Sequence, residues 1–220
     1  MKIQKNTTVG EVAAVMPGAL PVFQELKIDF CCGGKALLLN ALGERGVSEG
    51  EFLKMVEAQE DAKQRIGDAK DFTKMTAEDL THHIEDTHHD YLRRLLPEID
   101  ELFLKVLKAH GGNHPELFEV YKLFGRLKAE LSQHLIKEEA LLFPALVRGD
   151  EAGALSAEIA AEHDGAGKLL EAMRSVSNDY AVPADACMTY RRVYALLPEM
   201  EQDLHQHIHL ENNILMKDLA

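Results

Sequence analysis

The sequence predicts an all-α protein, in which a small N-terminal helical domain precedes an up-down-up-down four-helix bundle. Two observations indicate this fold class. From residue 76 onward, apolar residues recur at helical spacing in four long segments, with little strand-like alternation. The turn signals between those segments are short, and short connections favour antiparallel neighbouring helices. The segment before residue 59 has only short apolar runs, which fits a few short helices.

The chain divides into two domains at a change of composition. Residues 1–58 are predicted to form the small domain, because glycines interrupt its apolar runs in CCGG, LGERG and SEGEF. Residues 59–75 are predicted to form a linker, since QEDAKQRIGDAKDFTK is charged and nearly free of large apolar side chains. Residues 76–220 are predicted to form the bundle.

The four bundle helices are bounded by turn signals. The first helix is predicted at about 76–109 and stops at the sequence HGGN, and the second starts after Pro115 and ends near Gly149. The third is predicted at about 152–177, and the fourth starts just after Pro183 and continues to about 217. Proline occurs inside the first and fourth of these helices, at Pro97 and Pro198. We expect both helices to be kinked there.

Composition restricts the class of partner and the compartment. The 220 residues include 37 acidic and 24 basic side chains, a formal net charge of −13. This charge disfavours nucleic acid and anionic membranes as partners. No apolar stretch is long enough to span a bilayer, and the N-terminus lacks the charged and then apolar layout of a secretory signal. Three cysteines, two of them adjacent, make a poor disulfide framework. We therefore expect a cytoplasmic protein.

The bundle contains an internal duplication. Residues 131–138 and 204–211, at an offset of 73, both read L-x-x-H-x-x-x-E and are followed by an apolar run. Residues 89–96 and 163–170, at an offset of 74, both read H-D-x-x-x-[basic]-L-L. One helix pair is thus used twice, which predicts two equivalent sets of polar residues across the bundle axis.

Periodicity places polar residues of this repeat on buried faces. At about 100° per residue, His134 and Glu138 lie within the apolar stripe of the second helix, and His207 and Glu211 lie within that of the fourth. His163 lies at the centre of the apolar face of the third helix. Burying an ionised carboxylate without a partner costs several kcal/mol. The pattern therefore predicts a cation shared between the two glutamates.

The first helix leaves two alternatives. Its apolar face is centred nearer His88, whereas the internal repeat selects His89. We give the repeat more weight and predict His89, with His88 as the alternative.

Six side chains make up the predicted ligand set. They are His89, His134, Glu138, His163, His207 and Glu211. Six ligands are too many for one tetrahedral zinc ion and suit two metal ions, each with two imidazoles and a share of both carboxylates. Imidazole and carboxylate without thiolate fit iron or manganese, and we predict iron.

These motifs resemble those of a known family. The pattern H…H-x-x-x-E…H…H-x-x-x-E over residues 76–220 resembles a hemerythrin-like bundle. Together with DFCCGG at 29–34, it is similar to the di-iron proteins of the repair-of-iron-centres (YtfE/ScdA) type over nearly the whole chain. The family's iron ligands fall on the six residues above, with Glu138 and Glu211 as bridging carboxylates at the reactive centre. One departure is ILMKDL near the C-terminus, where the family more often has Leu-Phe-Pro.

The resemblance implies a function and its partners. It implies a cytoplasmic protein with two non-haem irons, bridged by carboxylates with room for an oxo group, that restores iron–sulfur clusters damaged by nitric oxide or oxidants. Iron donation and reduction of nitric oxide both remain open as its chemistry, so enzyme activity as a nitric oxide reductase is left undecided. The implied partners are damaged iron–sulfur proteins, with nitric oxide or oxygen as small ligands, and a homodimer remains open.

The adjacent cysteines Cys31 and Cys32 are a second candidate site. Gly33 and Gly34 permit backbone amides to face the sulfurs, which would favour thiolate. We expect the pair to bind iron, react with nitric oxide or contact a damaged partner, with a purely structural pair as the alternative. Cys187, alone at a helix start, is expected to be inert.

Other functions share this architecture. A hemerythrin-like protein that binds or senses oxygen or nitric oxide is the main alternative, although oxygen-carrying hemerythrins have more histidine and less carboxylate ligation. A ferritin-like oxidase would show two E-x-x-H motifs, and only residues 85–88 have that spacing. An interaction scaffold with an incidental metal is the third alternative.

Overall fold

A computed structural model describes residues 3–64 and 71–217. Within these ranges the protein has ten α-helices and no extended strand, which confirms the all-α fold class. The helices are α1 Val9–Val15, α2 Ala19–Glu25, α3 Leu38–Glu44, α4 Glu49–Gln64, α5 Ala77–Ile84, α6 Asp90–His110, α7 Glu116–Lys137, α8 Phe143–Arg148, α9 Gly153–Val176 and α10 Met188–Leu210. A short 3-10 helix spans Phe72–Lys74.

The chain is organised as two compact units. The described residues within 1–80 and 205–220 form one unit, and those within 81–204 form the other. The division predicted from composition, at 1–58, 59–75 and 76–220, stays a prediction, and residues 65–70 of that linker lie outside the described residues. None of the described helices is both long and apolar enough to cross a membrane.

Local signals in the sequence start and stop these helices. Thr8 begins α1 with a capping box, in which its hydroxyl accepts from the amide of Glu11 and the Glu11 carboxylate accepts from the amide of Thr8. Ser48 and Glu51 form the same pair of hydrogen bonds at the start of α4. Gly149 ends α8 with a φ of 71°, a left-handed conformation that glycine adopts at little cost.

In the unit formed by residues 81–204, the bundle consists of α6, α7, α9 and the part of α10 up to Leu204. Helix α7 packs against both α6 and α9. Ion pairs connect α10 to its neighbours: Arg174 on α9 reaches Glu201, and Arg192 on α10 reaches Glu98 on α6. The core between the helices is filled by fully buried aliphatic and aromatic side chains, among them Ile99, Leu127, Phe124 and Phe103. Helices α6 and α10 each continue through their internal proline.

In the other unit, the four N-terminal helices pack together with the end of the chain. Phe23 stacks on Phe30 and on Phe52, with ring centroids 6.1 and 5.4 Å apart. Asn213, just beyond α10, inserts its side chain beside Gly10 and Gly34. A Cβ atom at either glycine would lie 2.3 Å from Asn213 Oδ1, so this close approach requires glycine at both positions.

Candidate metal centre

Three π-helical turns interrupt the long helices at the predicted ligands. They span Glu85–His89, Glu138–Leu142 and Glu211–Leu215. The second and third are related by the same offset of 73 that relates the two sequence repeats. A π-helical turn adds a residue to the helical turn, and such turns occur frequently at functional sites. The first of these turns also shifts the register of its helix, which explains why an ideal helical period did not separate His88 from His89.

Three imidazoles converge on the carboxylate of Glu138 inside the bundle unit. His134 Nε2 lies 3.1 Å from Oε1 and His89 Nε2 lies 3.4 Å from Oε2. His163 Nε2 lies 3.7 Å from Oε1 and 3.1 Å from the Nε2 of His134. All four side chains are at least 95% buried. The structure thus brings together four of the six predicted ligands in this unit.

Outer carboxylates orient two of these imidazoles. His89 Nδ1 lies 2.7 Å from Glu139 Oε1, and His134 Nδ1 lies 2.8 Å from Glu162 Oε2. Arg93 anchors Glu139 through both carboxylate oxygens. With Nδ1–H donated outward, each Nε2 is directed at Glu138, which is the orientation of a metal-bound histidine.

The charge of Glu138 is retained despite its burial. Burial raises the pKa of this carboxyl, but the charge of His134 and hydrogen bonds from three imidazoles outweigh it and hold the pKa well below its usual range. The pKa values of Glu139 and Glu162 are lowered in the same way, against burial, by hydrogen bonds to histidine, arginine or lysine. Buried imidazole nitrogens and a carboxylate that face one another suit a bound cation, which would take the place of the protons between them, so these residues fit a metal.

His88 points elsewhere. Its Nδ1 lies 2.9 Å from Asp203 Oδ1 on α10, and its ring packs edge-on against that of His83. It is His89, as the repeat indicated, whose ring nitrogen lies near Glu138.

The remaining two predicted ligands form a pair in the other unit. His207 Nε2 lies 3.0 Å from Glu211 Oε1, and both side chains are fully buried. The two residues after Glu211 hold the cysteine loop: Asn212 donates to the carbonyl of Cys31, and Asn213 donates to that of Phe30.

The cysteine pair differs from the expectation in one respect. The backbone amides of Cys31 and Cys32 donate to Asp29 Oδ1, at 3.1 and 2.9 Å, and are not directed at the sulfurs. A hydrogen bond with Cys32 and burial raise the pKa of the Cys31 thiol, so Cys31 is held as a thiol and not as the expected thiolate. The two sulfurs lie 3.7 Å apart, and with Asp29 they form a compact set of metal-ligand types.

Sequence reasoning missed the outer carboxylates, Glu139, Glu162 and Asp203. A signal for two of them was present, because Glu139 follows Glu138 and Glu162 precedes His163. The residue next in sequence to one that faces the core lies about 100° further around the helix. From there its side chain can reach a histidine on an adjacent helix.

Comparison with known proteins identifies the family. The hemerythrin HHE cation-binding domain matches residues 80–219, and the ScdA N-terminal domain, described as a domain of unknown function (DUF542), matches residues 5–60. A probable iron–sulfur cluster repair protein of Haemophilus influenzae is 37% identical over 209 residues, 94% of this chain and 93% of its own. The chain belongs to the iron–sulfur cluster repair family.

Other similar proteins carry the names YtfE and ScdA. Iron–sulfur cluster repair protein YtfE of Pectobacterium atrosepticum is 36% identical, with 96% of this chain and 95% of its own covered. The protein ScdA of Staphylococcus haemolyticus, also named an iron–sulfur cluster repair protein, is 29% identical over 99% of this chain and 100% of its own. The resemblance to the repair family predicted from the sequence motifs is confirmed.

Proposed function

We propose that this chain is a non-haem di-iron protein that repairs iron–sulfur clusters damaged by nitric oxide or oxidants. The observation that carries the proposal is the convergence of three buried imidazoles on Glu138, two of them oriented by outer carboxylates. The names of the relatives support the repair function, and damaged iron–sulfur proteins are then its partners.

We assign two irons to the six predicted ligands. Residues 81–204 supply His89, His134, Glu138 and His163, and the assignment of His207 and Glu211 rests on the sequence repeat. Glu138 and Glu211 are proposed as the bridging carboxylates. Iron is favoured over zinc because the set contains no thiolate and offers more ligands than one tetrahedral ion accepts. When bound, ferrous iron supplies electrons, open positions for nitric oxide or oxygen, and metal for transfer to a damaged cluster.

The chain's own residues hold the centre ready for this chemistry. Glu139 and Glu162 keep two imidazoles in one tautomer and one orientation, so that little reorganisation is needed when metal binds. A cavity of about 370 Å³ is lined by both His134 and His163, together with Lys137 and Glu162. This cavity offers a small ligand such as nitric oxide a path to two of the proposed ligands.

We place the protein in the cytoplasm, because its three cysteines are free thiols, as is usual in a reducing compartment. Cys31 and Cys32 are proposed to contact iron or the damaged partner. The carbonyl of Cys31 accepts hydrogen bonds from the side chains of Asn212 and Asn213, which connect the cysteine pair to the segment that begins at Glu211.

Metal content and repair activity test the proposal together. Protein reconstituted anaerobically with Fe²⁺ should hold about two irons per chain and reactivate a [4Fe–4S] protein that has been nitrosylated. Glu138→Ala should lose both properties, because three imidazoles lose their shared carboxylate. Glu130→Ala is the matched control, since this glutamate lies on the same helix and its carboxylate pairs with Arg126 in an exposed i,i+4 contact. One zinc per chain, or full repair by metal-free protein, would contradict the proposal.

The same assay separates the two modes of repair. With ⁵⁷Fe in the protein, transfer of the label to the restored cluster indicates iron donation. Evolution of nitrous oxide indicates reduction, in which two nitric oxide molecules take up two electrons and two protons to give nitrous oxide and water. Reversible oxygen binding without repair would favour the alternative of an oxygen-binding protein.

A further inference from the structure

A second cluster of metal-ligand side chains lies where α6 ends and α10 begins. His110 is the last residue of α6, and His114 lies in the turn before α7. Asp185 lies in the connection that leads to α10, and Cys187 immediately precedes the first residue of α10. None of these four residues belongs to the proposed di-iron centre.

Three of the four residues already have ligand atoms close together. His114 Nε2 lies 3.0 and 3.2 Å from the two oxygens of Asp185. One ligand atom each of His110, His114 and Asp185 lies within 4.8 Å of the others. Ligands on a tetrahedral metal with bonds of 2.0–2.1 Å are separated by about 3.3 Å. Small side-chain movements therefore suffice to bring these atoms into one coordination sphere.

The two imidazoles are oriented from outside the cluster. His114 Nδ1 lies 3.0 Å from Glu116 Oε1, so that its Nε2 is directed at Asp185. Tyr190, which is 1% exposed, packs against the edges of both rings, with centroids 5.4 Å from His110 and 5.6 Å from His114. A carboxylate behind a histidine is the usual outer support of a metal-bound imidazole.

Cys187 provides a fourth candidate ligand beside this cluster. Its interactions with the backbone amide of Tyr190 and with the side chain of His110 lower the pKa of the thiol to about 7. The side chain is exposed, so it can turn toward the imidazoles. A cysteine with this pKa is about half ionised to thiolate at neutral pH.

We propose that His110, His114, Asp185 and Cys187 form a second metal site, which binds one divalent ion of the zinc class. Thiolate, imidazole and carboxylate on a tetrahedron are the zinc donor set, in contrast to the thiolate-free set around Glu138. The ion would connect the end of α6 with the start of α10. Two of its ligands, His114 and Asp185, are 71 residues apart in the sequence. The site would thus stabilise this end of the bundle.

Cobalt is the probe, because a cobalt–thiolate bond gives a charge-transfer band that a thiolate-free site does not. Full-length protein first loaded with iron should bind one further Co²⁺ per chain with this band, and Zn²⁺ should displace it. Cys187→Ser should abolish the band and weaken Co²⁺ binding at least tenfold. Serine keeps an acceptor for the Tyr190 amide, so the helix start is preserved. His114→Ala should weaken binding by more, since it removes the central ligand.

Two matched variants make the result decisive. His82→Ala removes an exposed histidine of α5 and should leave the Co²⁺ titration unchanged. Cys32→Ser removes a thiol of the other cysteine cluster and should leave the band in place. A band that survives Cys187→Ser, or that disappears in Cys32→Ser, would overturn the proposal, as would unchanged affinity in His114→Ala.

A stability measurement covers the case of a variant that folds poorly. Zn²⁺ should raise the Tm of the iron-loaded wild type and of His82→Ala, but not that of Asp185→Asn, whose iron content should remain that of the wild type. Equal Tm shifts in all three proteins would refute the site. Because iron content is measured separately, failure of this proposal is distinguishable from failure of the di-iron proposal.

Discussion

The outer carboxylate Glu162 offers a sharp test of how the imidazole His134 is prepared for metal. Glu162 Oε2 lies 2.8 Å from His134 Nδ1, and its other oxygen is paired with Lys137. Replacing it by glutamine keeps an acceptor for the Nδ1–H but removes the negative charge that raises the basicity of Nε2. Metal affinity should fall, while the fold of the bundle should be preserved.

The size of the effect follows from the position of the contact. Loss of an outer partner of a metal-bound histidine typically costs about 10-fold to 100-fold in affinity. This corresponds to about 1.4 to 2.7 kcal/mol. Glu162→Gln, which keeps the hydrogen bond, should lie near the lower limit, and Glu162→Ala near the upper one.

The assay is Fe²⁺ binding in anaerobic competition with a chelator, with the Tm of the metal-free protein as a check on folding. Glu158→Gln is the matched control, because Glu158 also pairs with Lys137, at 2.6 Å, but does not contact His134. Glu158→Gln should bind iron like the wild type. Equal affinities of Glu162→Gln and Glu158→Gln would refute the reasoning, since only the first changes the partner of a proposed ligand.

Two further predictions concern stability and pH. Gly34→Ala should lower the free energy of unfolding, measured by urea titration, by about 1–3 kcal/mol. The added Cβ would displace Asn213 from its hydrogen bonds. The control Gly43→Ala, which has open space around it, should be neutral or slightly stabilising. A hydrogen bond from Lys128 lowers the pKa of Asp100, so this pair stabilises the fold above the usual aspartate pKa and is lost as the pH falls through the lowered value. The free energy of unfolding should therefore fall less on acidification in Asp100→Asn than in the wild type, by up to about 1 kcal/mol. Urea unfolding measured over a range of pH tests this, and identical pH profiles of the two proteins would contradict it.

Among the proposed ligands, those in the H-x-x-x-E repeats follow most directly from the sequence. Two residues one helical turn apart share a face whatever the surrounding fold, so His134 and Glu138 could be read as neighbours from their spacing alone. The first helix was harder, because the π-helical turn Glu85–His89 changes the angle between successive side chains. Here the choice of His89 over His88 came from the repeat, and only the structure gives its physical reason.

The cluster of His110, His114, Asp185 and Cys187, proposed as a second metal site, could not be found from the sequence. Cys187 was expected to be inert, and no periodic pattern connects His114 with Asp185, 71 positions later. Packing of α6 beside α10 brings these residues to one place. The buried ring of Tyr190 then fixes the orientation of both imidazoles.

The sequence by itself determined the helical class, the duplicated bundle, the set of side chains suited to metal and the family, because helical period and residue chemistry are local properties. Tertiary structure decided which carboxylates support the ligands, which ring of the pair at 88 and 89 faces Glu138, and that Cys31 is held as a buried thiol. Those outcomes depend on distances between residues far apart in the chain and on their burial, which appear only when the helices pack.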